Sequence, residues 1–420
     1  MTEHILDELA WRGLISQTTG EEELRAHLDE GPITLYCGFD PTAPSLHIGN
    51  LVQILTVRRF QMAGHKPLAL VGGATGLIGD PKMAGERTLN PVETVHQWVE
   101  RIRGQIEPFL SFEGDNAARM VNNYDWTKDM TAIELLRDVG KYFRLGTMIS
   151  KDTVARRLHS DEGISYTEFS YQLLQGMDFL EQFRRYGCTL QTGGSDQWGN
   201  LTSGTELIRK AEGRTAHALS TPLITKADGT KFGKTESGTV WLDPEMTSPY
   251  AFYQFWLNQS DADVVGYLKV FTFLSREQIG ELERRVEHEP FKREAQRTLA
   301  WEVTTLVHGA AAAQGAVDAS QALFGRGDLD SLDAATLAGC AKELGGVEGP
   351  SGISVADALV ETSIVSSKSA ARRAIQEGGA YVNNVKIDDA DAVLATGDAL
   401  AGGWTVLRRG KKTVGLFRQV

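Results

Sequence analysis

Short apolar runs alternate with longer amphipathic stretches over the first half of the chain. Ile33–Phe39 (ITLYCGF) is rich in β-branched and aromatic residues and is closed by Asp40, Pro41 and Pro44, which predicts a strand. From Leu46 to about Ala63 a helix is predicted, and Gly64 stops it. Pro67–Val71 (PLALV) predicts a second buried strand that ends in Gly72 and Gly73. Strand, turn, helix, strand in this order implies a right-handed crossover and a parallel sheet. Cys188–Gln191 predicts a further strand and Leu201–Ala211 a helix, while residues 1–30 read as helix. Residues 1–225 are therefore expected to form a doubly wound, Rossmann-like α/β domain with a helical insertion near 125–165.

The second half reads differently. From Pro249 to about Leu323 the pattern is helix-rich, so residues 226–325 are expected to hold a glycine-bearing loop and a helical domain. Residues 326–352 are an Ala/Gly-rich connection whose end, Gly345–Gly352, reads as a linker. Residues 353–420 read helix, helix, strand, then strand, turn, strand, a small α+β module.

Composition narrows the class. The 420 residues are 41% hydrophobic and 23% charged, which excludes wholesale disorder. Cys37, Cys188 and Cys340 lie far apart with no CxxC, which argues against a disulfide scaffold and a thiolate zinc site and fits a reducing, cytoplasmic setting. No protein-bound zinc is expected. The N-terminus lacks the basic start and apolar core of a secretory signal, and the apolar run Pro67–Gly79 is too short to span a bilayer, so no membrane role is expected. The net charge of −12 argues against a surface that coats nucleic acid as a whole. Residues 352–420 nevertheless hold nine Lys/Arg against seven Asp/Glu, a mildly basic module behind an acidic body.

Six stretches carry candidate chemistry. In YCGFDPTAPSLHIGN (Tyr36–Asn50) a strand turns into a helix start, where unpaired N–H groups favour phosphate. His47 and Asn50 share the first turn, as ligand contacts or as helix caps. GGATGLIGDP (Gly72–Pro81) permits close backbone approach and offers Asp80 to a ligand amine or to a turn. In TEFSYQLLQGMDFL, Ser165 and Glu168 fit a capping box. There Tyr171, Gln175 and Asp178 form one polar stripe without Lys or Arg, either a solvent face or a pocket lining. GGSDQWGN (Gly193–Asn200) offers Asp196 and Gln197 at a strand end. DGTKFGKTESG (Asp228–Gly238) is not a P-loop, because three residues rather than four separate Gly229 and Gly233. Its Lys231 and Lys234 suit charge that appears late in a reaction, or simply face solvent. In the tail, Lys368, Arg372 and Arg373 share a helix face that Arg408, Arg409, Lys411 and Lys412 extend, a basic surface for RNA backbone or a solvated face.

In order and spacing these stretches resemble the bacterial tyrosyl-tRNA synthetases, class I aminoacyl-tRNA synthetases, over essentially the whole chain. LHIGN stands where that family carries HIGH, KFGKT where it carries KMSKS, and the tail resembles an S4-type RNA-binding domain. The resemblance implies roles. Tyr36 and Asp178 would hold the substrate phenol hydroxyl; Asp80, Tyr171 and Gln175 its ammonium group. Asp40, Asp196 and Gln197, with Gly49 and Gly194, would line the space between amino acid and adenosine. Thr42 and His47 would contact the γ-phosphate of ATP. Asn50 replaces the second signature histidine, keeping a donor but no capacity for charge. Lys231, Lys234 and Thr235, with Lys82 and Arg87, would close on pyrophosphate, and Arg209 and Lys210 would meet the acceptor stem. The implied activity is ligation of tyrosine to tRNA(Tyr) with ATP and Mg²⁺, by a homodimer. A tryptophan-specific relative and an RNA-binding protein with a decayed catalytic site are the rival readings; the Tyr36/Asp178 couple opposes the first and the joint presence of His47, Asp178, Lys231 and Lys234 the second.

Overall fold

The computed structural model describes residues 4–420 apart from 82–87, 162, 231, 236–237 and 412, and leaves out the side chains of Asp152, Thr153, Lys234 and Thr235. The chain divides into two compact units, residues 1–242 with 266–273, and residues 243–265 with 274–420.

The first unit is built on a six-stranded sheet of order β1-β6-β5-β2-β3-β4. Its strands are β1 (Gln17–Thr18), β2 (Thr34–Phe39), β3 (Lys66–Val71), β4 (Arg119–Asn122), β5 (Cys188–Gly194) and β6 (His217–Thr221). β2 to β6 pair in parallel, and β1 joins the β6 edge antiparallel, Gln17 opposite Ser220. The order runs β2-β3-β4 one way and β2-β5-β6 the other, so the sheet reverses its winding between β2 and β5. Such a switch point opens a crevice at the carboxyl ends of the two strands. The crossover helix Ile48–Met62 and the helix Tyr166–Tyr186 follow the expected positions. Residues 1–30 do not form one helix: Ile5–Trp11 ends before Gly13 at φ +72°, β1 intervenes, and Glu21–Asp29 follows. Pairing with β6 and a left-handed glycine outweigh local helix propensity there. Between β4 and the helix Tyr166–Tyr186 lie short helical pieces such as Leu145–Ile149 and Asp152–Leu158.

A hairpin of β7 (Lys234–Thr235) and β8 (Gly238–Thr239) also belongs to this unit. One face of the sheet buries Tyr36, Leu68 and Leu70 against Phe179, Met177 and Trp126, with the Tyr36 and Phe179 rings 5.3 Å apart.

The second unit packs the helices Pro249–Leu257, Arg276–His288, Glu294–His308, Ala310–Ala322 and Ala334–Leu344, and carries a five-stranded sheet of order β11-β10-β12-β13-β9. These strands are β9 (Val347–Gly349), β10 (Ala380–Val382), β11 (Val385–Lys386), β12 (Trp404–Arg409) and β13 (Thr413–Gln419). The stretch Gly345–Gly352, read as a linker, contains β9, which pairs in parallel with β13, Val347 opposite Phe417. Val406 and Leu416 of that sheet share a core with Leu323, Leu337 and Cys340, so the connection is part of the packed structure. The tail's helices are Val355–Glu361 and Lys368–Gln376. No described helix in either unit is long and apolar enough to cross a membrane.

Candidate active site

A cavity of about 740 Å³ opens at the switch point. Its walls gather Tyr36, Asp40, Thr42, His47, Gly49, Asn50, Asp80, Tyr171, Gln175, Asp178, Gly194, Asp196 and Gln197, residues singled out from four separate stretches. The volume suits a ligand of drug size or larger.

Tyr36 reaches it from β2 by strand alternation and is 1% exposed. Its hydroxyl is buried without a hydrogen-bond partner among the described residues. Asp178 enters from the Tyr166–Tyr186 helix and is 2% exposed. Its carboxylate accepts from Asn123 Nδ2 and from Trp126 Nε1, each at 2.9 Å. Burial raises the Asp178 pKa to about 7, against the pull of those two donors. Burial, with Asp178 nearby, holds the Tyr36 phenol well above its ordinary value. A phenol without a partner and a carboxylate with spare lone pairs thus line one small space. Gln175 Oε1 and Gln191 Oε1 are likewise buried and unpaired. Such orphans are costly unless a ligand or water meets them.

Other polar groups around these residues are already hydrogen-bonded. Tyr171 donates its hydroxyl to Asp40 Oδ2 at 2.7 Å, and Thr75 donates to Asp40 Oδ1 at 2.6 Å. Asp80 accepts from Gln197 Nε2 at 2.9 Å and from Asn200 Nδ2 at 3.3 Å. Gly72 permits this packing, because a Cβ there would fall 2.0 Å from Asp40 Oδ1. Cys37, beside Tyr36, has its thiol pushed by burial up to about 12 and is no nucleophile.

At the other end, His47 caps the Ile48–Met62 helix. Its Nδ1 accepts from the Gly49 N–H at 3.1 Å, and its own N–H donates to Asn50 Oδ1 at 3.1 Å. Capping and ligand contact are thus compatible: a neutral ring accepting at Nδ1 carries its proton on Nε2. An isolated antiparallel bridge between His47 and Trp241 ties this start to the segment that follows β8. Phe232 of that loop lines the cavity. Lys82, Arg87 and Lys231 lie outside the described residues, as do the side chains of Lys234 and Thr235.

Other expected residues lie elsewhere. Arg209 pairs with Glu206 at 2.7 Å, and Lys210 donates to the Tyr142 carbonyl at 3.0 Å beside a second cavity of about 420 Å³. In the tail, Lys368 pairs with Asp357 at 2.6 Å and Arg372 approaches Asp391 at 3.6 Å, while Arg373, Arg409 and Lys411 are exposed. Arg408 departs from the expected basic surface. It is 7% exposed, lies 4.0 Å over the Tyr381 ring and donates to Asn384 Oδ1. The Ser165–Glu168 box forms by half: Ser165 Oγ accepts from the Glu168 N–H, but the Glu168 carboxylate pairs with buried Arg157 at 2.7 Å. Lys412 lies outside the described residues.

Sequence reasoning missed Asn123, Trp126, Thr75 and Gln191. Asn123 and Trp126 follow β4, more than fifty positions from Asp178, and no local pattern marks them.

Residues 28–325 match the family of tRNA synthetases class I (W and Y), and residues 340–417 match the Tyrosine--tRNA ligase SYY-like C-terminal domain. The chain is 66% identical over 411 residues to a tyrosine–tRNA ligase of Streptomyces avermitilis, covering 98% of this chain and 97% of that one. It is 56% identical to the Bifidobacterium longum enzyme of the same name, over 98% and 96% of the two chains. Among solved structures, a C-terminally truncated mitochondrial tyrosyl-tRNA synthetase of Coccidioides posadasii superposes with a TM-score of 0.67 at 32% identity, covering 75% of this chain and 91% of that one. A tryptophanyl-tRNA synthetase of Encephalitozoon cuniculi shares the fold at 14% identity and a TM-score of 0.55, over 74% of this chain and 84% of that one. The chain belongs to the tyrosine–tRNA ligases, within the class I tRNA synthetases of the tryptophan and tyrosine type.

Proposed function

We propose that this cavity activates L-tyrosine with ATP and that the tyrosyl group then passes to the 3′-terminal ribose of tRNA(Tyr). The reading is carried by one observation: the buried Tyr36 hydroxyl and the Asp178 carboxylate line the same space, at the switch point that also holds the His47-capped helix start. A phenol hydroxyl placed there donates to Asp178 and accepts from Tyr36. Asp80 and Gln175 face the ammonium group, with Tyr171 held by Asp40. Gln197, Asp196, Gly194 and Gly49 border the adenosine, and Thr42, His47 and Asn50 the triphosphate.

The tyrosine carboxylate attacks the α-phosphorus of ATP, giving tyrosyl-adenylate and pyrophosphate. The nucleophile is already an anion, so no general base is required. Positioning and stabilisation of phosphate charge do the catalysis. Lys231, Lys234 and Thr235, with Lys82 and Arg87, are assigned to the departing pyrophosphate. Magnesium arrives with ATP as part of the substrate. In the second step a ribose hydroxyl attacks the adenylate carbonyl and AMP leaves. Residues 353–420, through Lys368, Arg372 and Arg373, are assigned to tRNA, as are Arg209 and Lys210 to its acceptor end. A cytoplasmic homodimer is the expected working form.

Pyrophosphate exchange with each amino acid tests the proposal. Exchange with tyrosine and none with tryptophan is expected; the reverse pattern rejects it.

A further inference from the structure

Arg12 and Arg59 are buried, at 6% and 4% exposure. Both are aimed at one stretch of backbone, the last carbonyls of the helix Asp261–Phe271, in the segment 266–273 of the first unit. Arg12 Nη1 donates to the Lys269 carbonyl at 2.7 Å and the Thr272 carbonyl at 3.0 Å. Arg59 Nη2 donates to Val270 at 2.9 Å and Thr272 at 2.8 Å. Helix ends leave their last carbonyls unpaired and partly negative, so a cation caps them well. The arrangement is nonetheless costly. Arg59 Nε and Nη1 have no acceptor among the described residues, and the guanidinium lies 4.8 Å over the Phe273 ring. Burial beside Arg12 lowers the Arg59 pKa to about 9. Arg12 has a carboxylate beside it, Glu8 at 2.5 Å, whereas Arg59 adds a second buried cation next to it, an arrangement that apolar packing at a helix end would not need.

The capped end carries an aromatic platform. The Tyr267 and Phe271 rings lie 4.5 and 5.5 Å from Phe232, the residue between the loop lysines in KFGK. Gly233, at φ +85°, presses on Ile48: a Cβ there would come within 2.9 Å of Ile48 Cγ1. Ile48 opens the helix that His47 caps, and Arg59 sits on that same helix. The Tyr267 hydroxyl donates to the Thr225 carbonyl at 3.4 Å, in the segment bordering the cavity. One helix therefore offers the phosphate seat at its start and, about three turns on, the cation that fixes the platform under the loop.

We propose that Arg12 and Arg59 are positioning residues for adenylate formation. By holding the carbonyls at 269–272 they fix the Tyr267–Phe271 platform that seats Phe232 of the KFGKT loop beside the cavity. They touch no substrate and act through Phe232. The inference rests on the assignment of the KFGKT loop to pyrophosphate.

The test is a double-mutant cycle in the full chain with Arg59→Met, Phe232→Ala and the pair, and with Arg59→Lys as the conservative variant. Stopped-flow measurement of adenylate formation in tyrosine-saturated enzyme gives the rate, and equilibrium dialysis gives tyrosine affinity. Arg59→Met is expected to slow adenylate formation about 10- to 100-fold, since misplacements of an ångström cost that much. Tyrosine affinity stays within about two-fold. Arg59→Lys recovers part of the rate, and the pair is no slower than Phe232→Ala alone. A lowered melting temperature with an unchanged rate, or effects of Arg59→Met and Phe232→Ala that multiply, overturns the proposal. If Arg59→Met does not fold, the same cycle is run with Arg12→Met in its place. Wild-type protein without tyrosine-dependent exchange rejects the ligase reading itself, whereas normal exchange in both wild type and Arg59→Met rejects only the positioning role.

Discussion

Replacing Tyr36 by phenylalanine removes one oxygen and is expected to move stability and substrate affinity in opposite directions. The Tyr36 hydroxyl is buried and has no hydrogen-bond partner among the described residues. An unpaired buried polar group costs about 1–3 kcal/mol, so its removal recovers part of that. The small void left behind takes back a few tenths of a kcal/mol, on the order of 24 cal/mol per Å³. The Tyr36→Phe protein is therefore expected to be more stable to urea by about 0.5–2 kcal/mol. Bound tyrosine loses one neutral hydrogen bond, about 0.5–1.5 kcal/mol, which weakens binding roughly 2- to 13-fold. Urea unfolding followed by near-ultraviolet dichroism reads the first quantity, and calorimetric titration with tyrosine the second. Loss of more than about 1 kcal/mol of stability with unchanged tyrosine affinity would place the hydroxyl in a structural role and refute the reasoning.

Asp178 makes a prediction in pH. Its folded pKa of about 7 lies above the ordinary value of 3.8, so the folded protein keeps a proton that the unfolded chain has already lost. The stability this contributes is full below about pH 4, falls as pH rises towards about 7 and is level above. Asp178→Asn has no such proton and loses that slope; thermal unfolding of both proteins between these limits checks it, and equal slopes contradict it. Glu168→Ala leaves Arg157 buried at 1% exposure without its carboxylate. That is expected to destabilise by about 3–5 kcal/mol in urea unfolding, and a loss below about 1 kcal/mol would show the pair to be inert. For the tail, Arg373→Glu with Lys411→Glu should leave pyrophosphate exchange unchanged and lower the rate of tRNA charging, more strongly at low salt. Normal charging at low salt would remove RNA binding from that surface. Point charges are the better probe, since cutting the chain near Gly349 would strip β13 from β9 and open the core around Leu337 and Cys340.

The site was legible where local periodicity decides geometry. The alternation in β2 turned Tyr36 away from its neighbours, and the spacing of Tyr171, Gln175 and Asp178 put them on one helix face. The absence of Lys and Arg from that stripe is what a pocket lining requires. What stayed hidden depends on contacts distant in sequence. The donors to Asp178 come from residues after β4, and Glu168 forgoes its local cap for Arg157. β9 has three residues and two flanking glycine-rich turns, and it exists because β13 pairs with it. The break within residues 1–30 likewise answers to β6, across some two hundred positions. Arg408 shows the same limit for charge: a basic residue in a hairpin reads as exposed until Tyr381 and Asn384 are found beneath it.

The central claim is that a buried phenol and carboxylate select a substrate by its hydroxyl. It is tested most directly by the ratio of kcat/KM for tyrosine over phenylalanine in pyrophosphate exchange. Phenylalanine leaves the Tyr36 hydroxyl and the spare lone pairs of Asp178 without the partner that a substrate hydroxyl supplies, at about 1–3 kcal/mol each, so a preference between roughly 30-fold and 2 × 10⁴-fold is expected. A ratio near unity would mean that the hydroxyl is not what this cavity reads.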